Sequence, residues 1–140
     1  MLISKSDLVE KIRACGLKPT EQRMAILKNL LSRKDHPSAD AVYQALKDDY
    51  PTLSLNTIYL NLMSFAKRGI ISKINILHDA ARFDGDINPH HHFVCVRCKK
   101  IIDLHNVKIP PITLPKGFGA ATIFHQQLRL NGICQACKQN

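Results

Sequence analysis

The 140-residue chain carries 20 Lys and Arg against 11 Asp and Glu, a formal charge of +9, and is 45% hydrophobic. No apolar run approaches the ~20 residues of a membrane span. The opening MLISKSDLVEKIR reaches charge after three apolar residues, which reads as lacking a secretory h-region. A soluble cytoplasmic protein is expected, in a compartment that keeps thiols reduced, and the excess of positive charge points to a polyanionic partner, nucleic acid first.

In chain order, Leu8, Ile12 and Cys15 share one helical face, and Gly16 with Pro19 ends that helix. Cys15 reads as ordinary core packing on this face. Thr20 is placed to cap a second helix, with Met24, Leu27, Leu30 and Leu31 on its apolar side. Pro37 breaks the chain. Ser38 caps a third helix, Asp40 lies in its first turn, Val42, Tyr43 and Leu46 form its buried stripe, and Tyr50-Pro51 stops it.

Ser54 caps a fourth helix, closed by Gly69. At 100° per residue, Leu55, Ile58, Tyr59, Leu62, Phe65 and Ala66 fall on one side, and Asn56, Thr57, Leu60, Asn61, Ser64, Lys67 and Arg68 on the other. Ile70 to Leu77 and Ala81 to Phe83 then read as a hairpin around His78-Asp79. Packed helices followed by a hairpin predict a winged helix-turn-helix with the fourth helix in the recognition position. A generic bundle whose polar face is merely solvated is the blander alternative. Amides and hydroxyls that approach base edges, with Lys67-Arg68 to hold phosphate, favour DNA. The expected contacts are Asn56, Thr57, Tyr59, Leu60, Asn61, Lys67 and Arg68.

Near residue 85 the texture changes to short β-type runs with Pro and Gly, which sets the expected domains at 1–84, for DNA binding, and 85–140. Cys95-x-x-Cys98 and Cys134-x-x-Cys137 supply the four thiolates of a tetrahedral structural zinc site, and redox dithiols fit a reduced compartment less well. A segment of this size is small for an unaided core, so a metal staple would compensate. Upstream, His90-His91-His92 leads directly into Cys95, and a strand there puts His90 and His92 on one face. His36, Asp84 and Asp103 are candidates to complete a mixed nitrogen and oxygen site suited to Fe(II), Mn(II) or Zn(II), exchangeable where the thiolate site is permanent. His91 and His125 read as surface histidines ahead of a further metal site.

Taken together, GLKPTEQRMAIL, HPSADAVYQAL, SLNTIYLNL, GII, ARFD, HHHFVCVRC, IIDL and NGICQAC, in that order, resemble the ferric uptake regulator (Fur) family of metal-dependent dimeric repressors over nearly the whole chain. The resemblance implies an α+β architecture, a winged-helix domain followed by a small α/β dimerisation domain with a four-cysteine zinc site. It also implies a homodimer on a double-stranded DNA operator. The family's sensing site maps onto His36, Asp84, His90, His92 and Asp103. Carboxylates at both acidic positions resemble the PerR peroxide-sensing branch, in which Fe(II) and hydrogen peroxide would oxidise His36 or His90 and release metal and DNA. An iron, zinc or manganese homeostasis repressor using the same residues is the alternative.

Three positions depart from the family pattern: Leu60 on the exposed helix face, Lys99 after the first cysteine pair, and VKIPPITLP at 107–115, which excludes a regular helix. Dimerisation is then expected to rest on strands around Ala121 to Leu130. A zinc hydrolase is disfavoured by the lack of HExxH or a nucleophile dyad. A zinc-ribbon adaptor without DNA binding remains a fourth reading.

Overall fold

In a computed structural model that describes residues 3–76 and 78–139, the chain divides into two compact units, Met1–Ile87 and Asn88–Asn140. The first unit contains helices α1 (Lys5–Ala14), α2 (Glu21–Leu31), α3 (Ala39–Leu46) and α4 (Leu55–Lys67), then strands β1 (Ser72–Ile74) and β2 (Arg82–Asp84). Each helix starts where a hydroxyl can accept an N–H that the first turn leaves without a backbone partner. Thr20, Ser38 and Ser54 do this for Arg23, Ala41 and Thr57, and Ser4 forms a reciprocal capping box with Asp7. Gly69, after α4, takes φ +81°, a left-handed conformation that glycine adopts at low cost.

The apolar stripes meet in one core. Leu8 and Ile12 of α1, Ile26, Leu27 and Leu30 of α2, Val42 and Leu46 of α3, and Ile58, Leu62 and Phe65 of α4 are buried there with Leu53, Ile71 and Phe83. Several expected positions differ. Ile26 joins the α2 stripe and Tyr43 is only half-buried; Leu55 and Tyr59 are exposed because α2, α3 and β1, which pack against α4, cover less than the whole apolar half of its surface. Cys15 is not on a helix face. It is the C-cap of α1, half-buried, and its thiol donates to the Ile12 carbonyl. α3 ends at Leu46, before Tyr50-Pro51.

β1 and β2 pair antiparallel with Ser72 opposite Asp84 and Ile74 opposite Arg82, so the expected hairpin forms with shorter strands. Leu77, the last residue of the expected first strand, lies outside the described residues, as do Met1, Leu2 and Asn140. The helices and hairpin form a winged helix-turn-helix.

The second unit is a three-stranded sheet in the order β4-β3-β5, formed by β3 (His91–Cys95), β4 (Ile101–Leu104) and β5 (Arg129–Gly132), and followed by the short helix α5 (Gln135–Lys138). β4 runs antiparallel to β3 and β5 parallel to it. Between β4 and β5 the chain forms neither helix nor strand. Pro110, Pro111 and Pro115 each remove a backbone donor from this stretch. Residues 121–128, expected to be strand, are not: the backbone reaches β3 at Leu128, whose carbonyl accepts from the His92 amide at 3.2 Å, and the strand begins at Arg129. Among the described residues no helix is long and apolar enough to cross a membrane.

Candidate metal centres and nucleic-acid face

In the second unit, strand register places the thiols. Cys95 ends β3 opposite Gly132 of β5, so the turn after β3 and the turn after β5 leave the sheet at the same end, each carrying one cysteine pair. A Cβ on Gly132 would lie 3.1 Å from two atoms of the Phe93 ring, so glycine lets β5 approach this closely. Lys99 takes φ +64° and its amide donates to the Cys95 carbonyl at 3.0 Å, closing the first turn in a conformation that glycine would adopt at lower cost. The second pair opens α5, with Cys134 at its N-cap.

The four sulfurs of Cys95, Cys98, Cys134 and Cys137 have positions within 4.8 Å of one another, with Cys95 and Cys134 buried. Backbone amides polarise the set unevenly. The Cys134 N–H, 3.3 Å from the Cys95 sulfur, and the amides of Cys98 and Arg97 lower the Cys95 thiol from 9.0 to about 6. Sharing its proton with the Cys134 and Cys98 sulfurs pushes Cys137 up to about 12. One thiolate is thus favoured, whereas four at this spacing repel one another unless a cation sits among them. Four sulfurs in two such turns fit tetrahedral zinc.

The same sheet builds an imidazole and carboxylate cluster. His92 is directly opposite Asp103 across the β3–β4 pair. His90 precedes the strand and points to the same side. The Nε2 atoms of His90 and His92 lie 3.0 and 3.3 Å from one oxygen of Asp103, and both imidazoles are buried. His90 Nδ1 donates to the Asn88 carbonyl at 2.6 Å. A carbonyl only accepts, so the proton is on Nδ1, and Nε2 faces an acceptor oxygen. A second proton or a metal ion resolves that contact, and a metal uses the lone pair directly.

His105 stacks on His90 with ring centroids 5.0 Å apart. Sequence reasoning passed over it, although Asp103-x-His105 in a strand-like run carries the same period-two signal as His90-x-His92. Asn88 was also missed, and no side-chain pattern marks a residue that acts through its carbonyl. His91 is half-buried and its Nδ1 accepts the Leu128 amide at 3.0 Å, whereas His125 is exposed.

In the first unit, His36 Nε2 lies 3.4 Å from Asp84, and both are buried. The pairing is made by β2. Phe83 N–H donates to the Pro37 carbonyl at 2.9 Å, while the Arg82 guanidinium donates to the carbonyls of Asp35 and His36. This clamp holds His36 at φ +51°, a left-handed conformation seldom adopted by histidine. Asp84 in turn accepts the Asp86 amide at 2.9 Å. A Cβ on Gly85 would come within 2.9 Å of Leu31, so glycine lets the chain after Asp84 pass the end of α2. Each unit therefore carries its own grouping of buried imidazole with carboxylate, His36 with the buried Asp84, and His90 and His92 with the half-buried Asp103.

On α4, Asn56, Tyr59, Leu60, Lys67 and Arg68 are exposed, and Thr57 is half-buried with its hydroxyl 2.9 Å from that of Ser54. Asn61 is half-buried and engaged at both ends of its amide, accepting from Arg23 Nε at 3.1 Å and donating to the Thr57 carbonyl at 2.9 Å. The amide thereby orients Arg23, a cation with no periodic signal to mark it beside the recognition helix. Arg68 reaches back to the Cys15 carbonyl at 2.7 Å.

These features agree with what the chain resembles elsewhere. The model of the ferric uptake regulator family matches residues 14–116. The peroxide-responsive repressor PerR of Staphylococcus epidermidis is 33% identical over 134 residues, which cover 95% of this chain and 89% of that protein. Among solved structures, the ferric uptake regulator of Francisella tularensis with iron superposes with a TM-score of 0.69 at 27% identity, covering 88% of this chain and 96% of that one. PerR from Streptococcus pyogenes, solved to explain peroxide sensing and gene regulation, does so with 0.53 at 26% identity, covering 94% and 90%. Both the sequence match and the fold lead to one conclusion: this chain belongs to the ferric uptake regulator family, metal-responsive DNA-binding transcriptional regulators rather than enzymes.

Proposed function

We propose that the protein is a homodimeric cytoplasmic repressor that binds a double-stranded DNA operator when metal is bound and releases it on exposure to hydrogen peroxide. In this reading residues 1–84 bind DNA through Asn56, Thr57, Tyr59, Leu60, Asn61, Lys67 and Arg68. Residues 85–140 dimerise around a structural zinc held by Cys95, Cys98, Cys134 and Cys137. His36, Asp84, His90, His92 and Asp103 hold an exchangeable Fe(II) or Mn(II). The observation that supports it most is the pairing of buried imidazoles with a carboxylate in each unit: a hard, mixed donor set that suits these ions and differs in kind from the thiolate cluster.

Bound Fe(II) would supply the reduction of hydrogen peroxide and the delivery of one oxygen atom to a ligating imidazole. The residues supply the rest. Asn88 holds the His90 proton on Nδ1 so that Nε2 is the donor atom, and the Arg82 clamp fixes the backbone that presents His36. Oxidation of His36 or His90 would remove a donor, lower metal affinity and return the protein to its metal-free population.

The test is to load the protein with Fe(II) or Mn(II), add peroxide and map peptides by mass. One added oxygen on the His36 or His90 peptide with iron alone supports the proposal, and none with either metal sinks it. The second reading, a metal-homeostasis repressor using the same residues without peroxide chemistry, draws on the likeness to the iron-bound Francisella regulator. It predicts metal-dependent DNA binding that peroxide leaves intact.

A further inference from the structure

We propose that Leu60 is a specificity-determining residue that reads the 5-methyl group of a thymine in the operator's major groove. The proposal rests on DNA binding by α4 and adds the base feature that one of its side chains recognises. Leu60 is 57% exposed. Its exposure is not a core position left unfilled, because the opposite stripe of Ile58, Leu62 and Phe65 is fully buried.

Leu60 lies at the edge of a groove shared with Met63, Ser64, Lys67, Arg68 and Lys73. The groove places an aliphatic contact beside three cations and, among the described residues, has no acidic residue in its lining. That combination suits a partner that is anionic along its backbone yet offers small apolar groups at fixed positions. Duplex DNA does so: phosphates line the groove, and among major-groove base edges the thymine methyl is the apolar feature.

The neighbouring side chains narrow the assignment. Asn61, next in the chain, accepts from Arg23 and donates to the Thr57 carbonyl, so its part in DNA binding is to position Arg23 and not to discriminate bases. Asn56, one helical turn before Leu60, is exposed and carries the amide that pairs with adenine. Leucine neither donates nor accepts a hydrogen bond. Its discrimination can come only from apolar contact, and against a base without a methyl that contact is lost.

The experiment uses the full-length protein loaded with zinc and Mn(II). It first selects duplexes from a random pool, then rebinds the selected duplex with each thymine replaced singly by deoxyuridine, which removes only the methyl. At one position per half-site the wild type should weaken about fourfold, the factor for one buried carbon group. Leu60→Ala should bind thymine and deoxyuridine there equally, and Leu60→Asn should select a different base at that position and no other.

Selected duplexes that tolerate every deoxyuridine, or a loss that persists in Leu60→Ala, overturn the assignment of Leu60 while leaving DNA binding in place. Absence of any salt-sensitive duplex binding by the wild type overturns both. Because Leu60 is exposed, both variants should keep the wild-type zinc content and melting temperature, which verifies the fold in the same preparations.

Discussion

The two units solve the problem of stability differently. The first buries a continuous apolar cluster drawn from four helices and the hairpin. Among the described residues, those buried in the second are Val94 and Ile101 together with Cys95, Cys134, His90 and His92. An all-apolar interior of two such residues is small for a three-stranded sheet and a long irregular connection, and the four clustered thiols are where a metal cross-link would add to it. Most of the first unit's interior follows from hydrophobicity, with His36 and Asp84 the buried exceptions, whereas thiols and imidazoles make up most of what the second unit buries.

Four substitutions, at three places in the fold, test the contrast between the units. The largest effect is expected from Cys95→Ser or Cys134→Ser, because structural zinc contributes on the order of 10 kcal/mol in small domains. Zinc should be lost, and hydrogen exchange should show residues 88–139 unprotected or the protein monomeric, while α1 to α4 stay protected. A variant that stays dimeric with full zinc content would contradict the metal-dependent half of the comparison.

Next, Phe65→Ala should cost the first unit about 3–5 kcal/mol, by loss of a fully buried ring and the cavity left behind. A thermal melt should show this as an early transition, with zinc content unchanged. Simultaneous zinc release at that transition would mean that the units do not fold independently. The smallest structural effect is expected from His90→Ala. Fold and zinc should persist, regulatory metal affinity should fall at least roughly tenfold, and metal-dependent DNA binding should go with it. If Mn(II) affinity is unchanged, His90 is not a ligand.

Much of this was legible in the chain because the signals are local. Thr20, Ser38 and Ser54 cap helices where an apolar period begins, and each CxxC pair needs only a tight turn to aim two sulfurs at one point, although the register of β3 with β5 is what brings the two pairs together. The period-two spacing of His90 and His92 likewise survives as a shared face directed at Asp103. Tyr59 was less legible. Its position relative to the buried stripe depends on how much of α4 the neighbouring helices cover, and helical angle alone does not report that. The stretch 121–128 has apolar residues typical of strand, yet the register that pairs the chain with β3 takes hold only at its last residue, Leu128.

By itself, then, the sequence determined the helix starts, the turn that Pro and Gly demand, the cysteine pairs and the family, since each depends on residues within a few positions of one another or on an ordered series of such motifs. Tertiary structure alone decided that Asn88 would set the His90 tautomer, that Arg82 would hold His36 beside Asp84, and that Asn61 would turn inward to Arg23. Those contacts join backbone carbonyls and side chains through strand register and helix packing, and neither is encoded in the spacing of the residues that take part.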